Sequence, residues 1–261
     1  MHMIICPKCK KELFKVDNTY KCIDHHSYDI AKSGYLNLLL SRFNAGDNKE
    51  MLIARDNFLK QDFYLPIAKN ILTKIPHDTP LIVDCGCGTG YYTNYLAQNI
   101  SSIFIGIDIS KAAIDFAAKK NKKVLYIVAS NSNIPLADLS VDVLLNIFAP
   151  YSDSEFTRII SSTGKLITIS ANAHHLHELK ELVYHVPHTN IDKVYFLPSF
   201  KMMSEEVLEY TMVLTQNDLL NLFKMTPYYF KTKISDFEKL FTIDKLEVTA
   251  SFLIREYQKQ N

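Results

Sequence analysis

The chain has 261 residues, of which 48% are hydrophobic and 22% are charged, a composition typical of a globular protein with a sizeable core. Its formal net charge of +1 excludes a global electrostatic attraction to nucleic acid or membrane, so any such contact requires a local patch. No apolar run approaches the ~18 residues of a membrane span, and the five cysteines form two clusters unlike a disulfide framework, which predicts a cytoplasmic protein.

The first predicted unit, residues 1–36, consists of short strands and turns around a Cys/His set. Cys6-x2-Cys9 and Cys22-x3-His26 supply four ligands with the spacing of a structural zinc site. So small a unit cannot bury enough apolar surface by itself. Zinc binding would supply about 10–16 kcal/mol of apparent folding free energy.

Spacing alone leaves the fourth ligand open, because His25 stands beside His26. The unit also carries five lysines, which are Lys8, Lys10, Lys11, Lys15 and Lys21. Because a compact lysine-bearing unit suits phosphate contact, residues 1–36 are predicted to be a zinc-binding RNA-recognition module. The alternatives are a zinc staple that touches no partner and a redox-active or incidental CxxC.

Residues 37–75 are predicted to be a linker followed by helices. Apolar residues recur at helical spacing over residues 51–75, and Pro66 is predicted to lie in the first turn of a second helix. The segment "PHDTP" then breaks the chain at residues 76–80.

Residues 76–261 are predicted to be an α/β domain. Strands are predicted at residues 81–86, 102–108, 123–129, 141–148 and 164–170, with helices at 91–100, 111–120 and 154–162 between them. A helix at 175–184, strands at 209–214 and 246–257, and a helix at 217–225 follow. This order predicts a mainly parallel sheet covered on both faces.

A glycine loop follows the first of these strands in "VDCGCGTGYYT". Asp84 ends the strand, Gly86, Gly88 and Gly90 follow at alternate positions, and Asp108 ends the second strand. Glycines let the backbone approach a ligand closely, and a carboxylate at the second strand end can accept both hydroxyls of a ribose. The pattern predicts a nucleoside-bearing cofactor at the carboxyl ends of the strands.

The loop differs from a dinucleotide-binding loop, G-x-G-x-x-G, because Tyr91 stands where the third glycine would be. It resembles motif I of the seven-stranded, Rossmann-like S-adenosylmethionine-dependent methyltransferases. In such folds Ser130 and Asn131, which follow the third strand, lie near the adenine. Dinucleotide binding is the alternative interpretation.

The whole chain resembles the large-subunit (23S) ribosomal RNA guanine-N1 methyltransferase family. The resemblance rests on segments that occur in the family's order: "CPKC…YKCIDHHSYDIAKSGYLNLL", "AGDNKEMLIARDNFL", "FYLPI", "LIVDCGCGTGYYT", "GIDISKAAIDFAAK", "VASNSNIPL", "FAPYSDSEFTRI" and "HHLHELKELVY". It implies a seven-stranded methyltransferase sheet behind a small amino-terminal zinc-binding domain.

Residue by residue, the resemblance implies zinc at Cys6, Cys9, Cys22 and His26. It implies S-adenosylmethionine contacts at Tyr64, Gly88, Thr89 and His175. Thr89 stands where the family often has Glu. Without the resemblance, Tyr64 reads as a core aromatic residue and His175 as a surface histidine.

The implied reaction is methyl transfer to N1 of a guanine in a hairpin loop of 23S ribosomal RNA. Because N1 lies on the Watson–Crick edge, the base must leave its stack to reach the enzyme. We expect four residues at the end of the fourth strand to frame the target pocket, which are Asn146, Phe148, Pro150 and Tyr151. No general base is singled out.

Two other functions compete with this one. A methyltransferase acting on a small molecule or protein would use the zinc module as a lid or docking piece. A non-catalytic, zinc-dependent RNA-binding factor would bind RNA without transferring a methyl group, and the intact glycine loop argues against it. The resemblance also implies self-association as a homodimer.

Overall fold

The computed structural model describes residues 3–40, 49–184, 190, 197–226, 229 and 237–260. The amino-terminal unit is an antiparallel three-stranded sheet formed by β1 (Phe14–Val16), β2 (Thr19–Lys21) and β3 (Ser27–Asp29). Asp17 has a left-handed φ of 53° in the turn between β1 and β2, a conformation that suits a tight hairpin. The predicted short strands and turns of residues 1–36 are confirmed.

The main sheet is formed by β4 (Leu36–Asn37), β5 (Leu81–Cys85), β6 (Ile103–Asp108), β7 (Leu125–Val128), β8 (Val141–Ile147), β9 (Ile160–Ala171), β10 (Phe200–Thr215) and β11 (Lys245–Lys259). In the described part of the chain its order is β10-β11-β9-β8-β5-β6-β7-β4. The strands from β9 to β4 pair in parallel, whereas β11 runs antiparallel to both β9 and β10. The α/β class is confirmed. An eighth strand joins the predicted seven because β4 pairs with β7 at the sheet edge.

The described helices are α1 (Lys49–Leu59), α2 (Leu65–Lys74), α3 (Tyr91–Asn99), α4 (Lys111–Lys120), α5 (Asp153–Ile159), α6 (His177–Val183) and α7 (Gln216–Met225). Pro66 is the second residue of α2, where its missing N–H leaves no intrahelical hydrogen bond unmade. Across the described ranges, none of the helices has the length and apolar character needed to cross a bilayer.

The predicted helix at 154–162 is too long. Helix α5 ends at Ile159, and Ile160 adopts extended angles (φ −70°, ψ 132°) and begins β9. Residues 160–163 are Ile, Ser, Ser and Thr, and the β-branched members favour a strand once a neighbouring strand is there to pair with.

The sheet separates two hydrophobic cores. Along β5, Ile82 points into one core and Val83 into the other, as the alternation of side chains along a strand requires. The first core contains helix residues such as Leu222, and the second contains residues of the amino-terminal unit such as Leu13. The small unit therefore shares its core with the large sheet.

Main-chain hydrogen bonds also join the amino-terminal unit to the segment after β7. The amide of Ile5 donates to the carbonyl of Pro135 at 3.0 Å, and the amide of Ala137 donates to the carbonyl of Met3 at 2.8 Å. These bonds fix the direction in which the Cys/His set faces.

Arg158 on α5 holds the other side of this segment. Its guanidinium donates to the carbonyls of Ile134 and Leu136, both at 2.7 Å, and to the carboxylates of Glu155 and Asp138 at 2.7–2.8 Å. Glu155 in turn accepts from the amide of Ile134 at 2.6 Å. One half-buried charge pair thus anchors the strand-like segment on which the amino-terminal unit rests.

We expect Arg158→Met to lower the free energy of unfolding by about 2–3 kcal/mol, because it removes charge-assisted hydrogen bonds and leaves Glu155 without its cation. Equilibrium urea unfolding followed by circular dichroism measures the change. Lys119→Met removes an exposed ion pair to Asp115 and serves as the control, with a loss of at most about 0.5 kcal/mol. Equal effects of the two substitutions would contradict the anchoring role.

Candidate functional site

Four ligand atoms of the amino-terminal unit converge on one point. The sulfur and ring-nitrogen atoms of Cys6, Cys9, Cys22 and His26 all lie within 4.8 Å of one another. His26 Nδ1 lies 3.5 Å from Cys6 Sγ and 3.4 Å from Cys22 Sγ, and Cys9 Sγ lies 3.6 Å from Cys22 Sγ. Zinc bonds of about 2.3 Å to sulfur and 2.0–2.1 Å to nitrogen give tetrahedron edges of about 3.6–3.8 Å, so the four atoms fit a zinc ion.

The cluster contains His26 and not its neighbour. His25 is exposed and has a left-handed φ of 61°, and its amide donates to the carbonyl of Cys22 in the turn. The turn therefore directs His25 outward and His26 inward, a choice that spacing left open.

The thiols of Cys6 and Cys9 ionise together only when a cation lies between them. Burial opposes the ionisation of Cys6, but hydrogen bonds from Tyr28 and from the amides of Cys9 and Lys8 lower the pKa of Cys6 to about 6. Burial raises the pKa of Cys9 to about 12, and its contacts with the neighbouring thiols Cys6 and Cys22 raise it too. A dication would relieve this conflict, so the donor set fits zinc chemically as well as geometrically.

The zinc cluster lies beside the carboxyl ends of the parallel strands. Lys10, in the turn between the first two cysteines and β1, donates from Nζ to the side-chain carbonyl of Asn133. Asn133 closes a turn on Ser130, with its amide 3.0 Å from the Ser130 carbonyl. The turn after β7 therefore contacts both the amino-terminal unit and the predicted cofactor crevice.

Two glycines of the loop after β5 leave no room for a side chain. Gly86 has φ 88°, and an added Cβ would overlap the side chain of Ala149. Gly90 has φ 74°, and an added Cβ would lie 2.5 Å from the hydroxyl of Tyr126 and 2.9 Å from Ala117 Cβ. Both positions need glycine, and the loop leads directly into α3.

The acidic residue at the end of β6 closes the same loop. Asp108 accepts from the amide of Gly88 at 2.9 Å and from the amide of Ser110 at 2.8 Å. Both bonds orient the carboxylate at the carboxyl end of the sheet, where a ribose would lie in a cofactor-bound form. Thr89, between the glycines, is buried.

Asp84 lies beneath the loop and is only 1% exposed. Its Oδ2 accepts from Thr93 at 2.6 Å, whereas its Oδ1 is buried without a hydrogen-bond partner in the described ranges. Burial raises the pKa of Asp84 to about 7, and the nearby charge of Asp108 adds to the rise. A buried acceptor of this kind fits the cationic methionine portion of S-adenosylmethionine.

Ser130 and Asn131 lie in the turn after β7, as predicted. The hydroxyl of Ser130 lies 2.8 Å from that of Ser132, and the Asn131 side chain donates to the carbonyl of Pro150 at 2.8 Å. Asn131 therefore links this turn to the segment after β8.

Tyr64 and His175 come together although 111 residues separate them. The Tyr64 hydroxyl lies 3.4 Å from His175 Nε2, and Nδ1 of the same ring accepts from the amide of Ser251 at 3.3 Å. Burial lowers the pKa of His175 to about 3, so the ring is neutral and carries its proton on Nε2. Tyr64 is a core aromatic residue at 5% exposure, whereas the interpretation of His175 as a surface histidine is wrong, because its side chain is only 7% exposed.

The four predicted pocket residues separate into different surroundings. Asn146 is fully buried and donates from Nδ2 to the carbonyls of Cys85 and Pro150 at 3.1 and 3.3 Å, so it supports the loop from below. Phe148 has a left-handed φ of 54° and is 44% exposed. Tyr151 packs against the core on the amino-terminal unit's side of the sheet. Pro150 is exposed, and Phe148 is the exposed member that carries an aromatic ring.

An aromatic cluster surrounds this ring, formed by Tyr64, Tyr92, Phe148, His175 and Phe252. The ring centroid of Phe148 lies 5.5 Å from that of Phe252, 6.4 Å from that of Tyr64 and 6.5 Å from that of Tyr92. Tyr92 and Phe252 were not predicted as site residues. Tyr92 directly follows the glycine loop in "GTGYYT", which was an available signal, whereas nothing local marks Phe252 out from the other apolar residues of β11.

The fold, glycine loop and paired strand-end carboxylates define an S-adenosylmethionine-dependent methyltransferase, joined here to a zinc ribbon. The family described as "Methyltransferase domain" matches residues 83–167, and the zinc-ribbon family described as "RlmA, N-terminal" matches residues 4–42. A chain in the solved complex of the Haloferax volcanii Trm112 methyltransferase activator with a provisionally assigned methyltransferase shares the fold. It has a TM-score of 0.54 and 18% identity, over 83% of this chain and 100% of that one.

Similar proteins indicate which kind of methyltransferase this chain is. A protein of Micromonospora griseorubida, provisionally named a 23S rRNA (guanine-N1)-methyltransferase, is 32% identical over 67% of each chain. A Bacillus subtilis protein with the same provisional name is 29% identical over 86% of each chain. The 23S rRNA (guanine(748)-N1)-methyltransferase of Streptomyces fradiae is 30% identical over 67% of this chain and 65% of that one. This chain belongs to the 23S rRNA (guanine-N1)-methyltransferase family, which confirms the resemblance.

We expect His26→Ala to lose bound zinc and His25→Ala to retain about one ion per chain, because only His26 completes the tetrahedron. Metal content after gel filtration, measured by plasma mass spectrometry, distinguishes the two adjacent variants. Loss of zinc from His25→Ala with retention in His26→Ala would refute the ligand assignment.

Proposed function

We propose that this protein transfers the methyl group of S-adenosylmethionine to N1 of a guanine in a hairpin loop of 23S ribosomal RNA. The observation that carries the proposal is the contact between the zinc ribbon and the turn after β7, through Lys10 and Asn133. This contact sets a lysine-bearing module beside the cofactor crevice. The names of the relatives support the same substrate.

The cofactor would lie across the carboxyl ends of the strands. We assign the ribose hydroxyls to Asp108, the adenine to the turn carrying Ser130 and Asn131, and the methionine portion to the space beside Asp84. The glycines Gly86, Gly88 and Gly90 admit the cofactor against the main chain, together with Thr89. Tyr64 and His175 close the crevice from the side of α2.

The bound cofactor supplies an already activated methyl group, so the protein mainly has to position a nucleophile in line with it. Guanine N1 is paired in a duplex, and the base must turn out of its stack to reach the crevice. We assign the exposed face of Phe148 to stacking against the turned-out base, since aromatic rings are the usual platform for unpaired RNA bases. Pro150 and Tyr151 shape the segment behind it, and Asn146 holds that segment in place.

The proposal divides the chain by role. Residues 1–36 recognise RNA, residues 37–75 are a linker with helices, and residues 76–261 carry the cofactor. Strand β4 crosses the first boundary by joining the large sheet, and that connection suits two parts that must hold one substrate. The substrate places the protein in the cytoplasm, with 23S ribosomal RNA as its partner. A homodimer would have the exposed edge strand β10 available as a contact surface.

Primer extension on ribosomal RNA tests the proposal directly. N1 methylation blocks base pairing, so reverse transcriptase should stop next to one hairpin-loop guanine in cells with the protein and read through in cells without it. Identical patterns in both RNAs would reject the proposal. Label transfer from S-adenosylmethionine to a ribonuclease-resistant acceptor would favour the small-molecule or protein substrate instead.

The division of labour between the two sites gives a second test. We expect Cys9→Ser to weaken binding to the RNA hairpin by roughly tenfold, because the lysine-bearing turn loses its shape and its phosphate contacts, and to leave S-adenosylhomocysteine binding unchanged. Asp108→Asn should show the opposite pattern. Calorimetry on both variants with both ligands decides the matter, and equal losses of the two ligands in Cys9→Ser would reject an RNA-reading role for the ribbon.

A further inference from the structure

The hydroxyl of Tyr92 is a buried donor with nothing to donate to. Tyr92 lies in the first turn of α3 and is 9% exposed, and its oxygen has no hydrogen-bond partner among the residues that the structure describes. Leaving a buried hydroxyl unpaired costs about 1–3 kcal/mol. Such a group in a crevice points to a ligand that completes it.

The surroundings of Tyr92 suit a planar base. Its ring packs against Tyr91 at 5.1 Å and lies 6.5 Å from Phe148, the ring assigned above to base stacking. Phe148 is the exposed member of the aromatic cluster within the described ranges, so a base that stacks on this ring approaches Tyr92 from the solvent side. Side-chain rotamer changes of this kind of exposed ring are common on binding.

The charge of the crevice decides which ligand atom the hydroxyl meets. Burial raises the pKa of Tyr92 well above its ordinary value, and the titratable groups that face it, Tyr64, Tyr210, Tyr91 and Asp84, raise it further. The phenol therefore stays protonated and acts as a neutral donor. Because Phe148, the ring assigned to base stacking, lies 6.5 Å from Tyr92, the ligand group expected near the hydroxyl belongs to the base, and the acceptor beside N1 of guanine is O6.

We propose that Tyr92 donates a hydrogen bond to O6 of the target guanine. Methyl transfer forms the bond from N1 to the methyl carbon with the N1 electron pair, and the sulfur–carbon bond breaks with its pair kept by sulfur. The N1 proton passes to solvent water. Loss of that proton spreads negative charge over N1 and O6, and a donor fixed at O6 stabilises this charge as it develops.

The inference rests on the proposed function and adds a residue to it. It also explains how N1 can react without a dedicated base, because a donor at O6 makes the N1 proton easier to lose. Adenine has an amino group at the equivalent position and would present a donor to a donor, so the same hydroxyl contributes to the choice of guanine.

Tyr92→Phe removes only the hydroxyl, and Tyr91→Phe is the matched control, because its hydroxyl bonds to Asp62 at the exposed surface. With a hairpin RNA from 23S ribosomal RNA, we expect Tyr92→Phe to lower kcat by roughly 100-fold near neutral pH, as when one oxyanion donor is removed. The loss should shrink as pH rises, because the donor matters less once N1 deprotonates readily. Binding of S-adenosylhomocysteine by calorimetry should be unchanged, and Tyr91→Phe should match the wild type throughout.

Three results would overturn the inference: full activity of Tyr92→Phe, a loss confined to cofactor affinity, or a loss that is the same at every pH, which is the signature of a structural role. Failure of the proposed function looks different, because the wild-type protein itself would then leave guanine N1 unmethylated.

Discussion

The parallel alignment of β5, β6, β7 and β8 is the constraint on which the site depends. Their carboxyl ends meet on one side of the sheet, so residues far apart in the chain face a common crevice. The amides of Gly86 and Cys87 both donate to the carbonyl of Ile107, at 2.7 and 3.0 Å. These two bonds tie the glycine loop to the end of β6 and bring Asp108 within reach of Gly88. Without the parallel order, neither the loop nor the carboxylate would have a partner.

The zinc ribbon is too small to fold on its own core, and two kinds of interaction stabilise it. Its own sheet has nine residues in three short strands, too few to form an independent core, so a metal ion must hold its turns together. Its apolar residues also enter the second core of the large sheet, and its backbone pairs with the segment after β7. The ribbon is consequently oriented by the catalytic domain, which lets its lysines and the crevice act on one RNA.

The crevice combines apolar walls with buried polar atoms that the protein leaves unpaired. Asp84 Oδ1, the Tyr92 hydroxyl and Asn146 Oδ1 all lack partners in the described ranges. Each unpaired atom lowers the stability of the folded protein. Unpaired buried groups of this kind are commonly found at binding and catalytic sites. His175 is neutral and hydrogen-bonded, so it adds no charge to the site. The charge near the aromatic cluster therefore comes from the acidic residues of the loop and from the ligands.

The sequence by itself determined the class of fold, the glycine loop, the strand-end acids and the metal ligand types, because these depend on periodicity and on short spacings. It did not determine the end of α5 or the eighth strand, and spacing alone left His25 and His26 open although the resemblance implied His26, since each depends on pairing with distant residues or on one backbone turn. It also missed Tyr92 and grouped Asn146 with Phe148. Only the tertiary structure separates them, because Asn146 lies within β8 and is fully buried, whereas Phe148 follows the strand end with a left-handed φ of 54° and is 44% exposed.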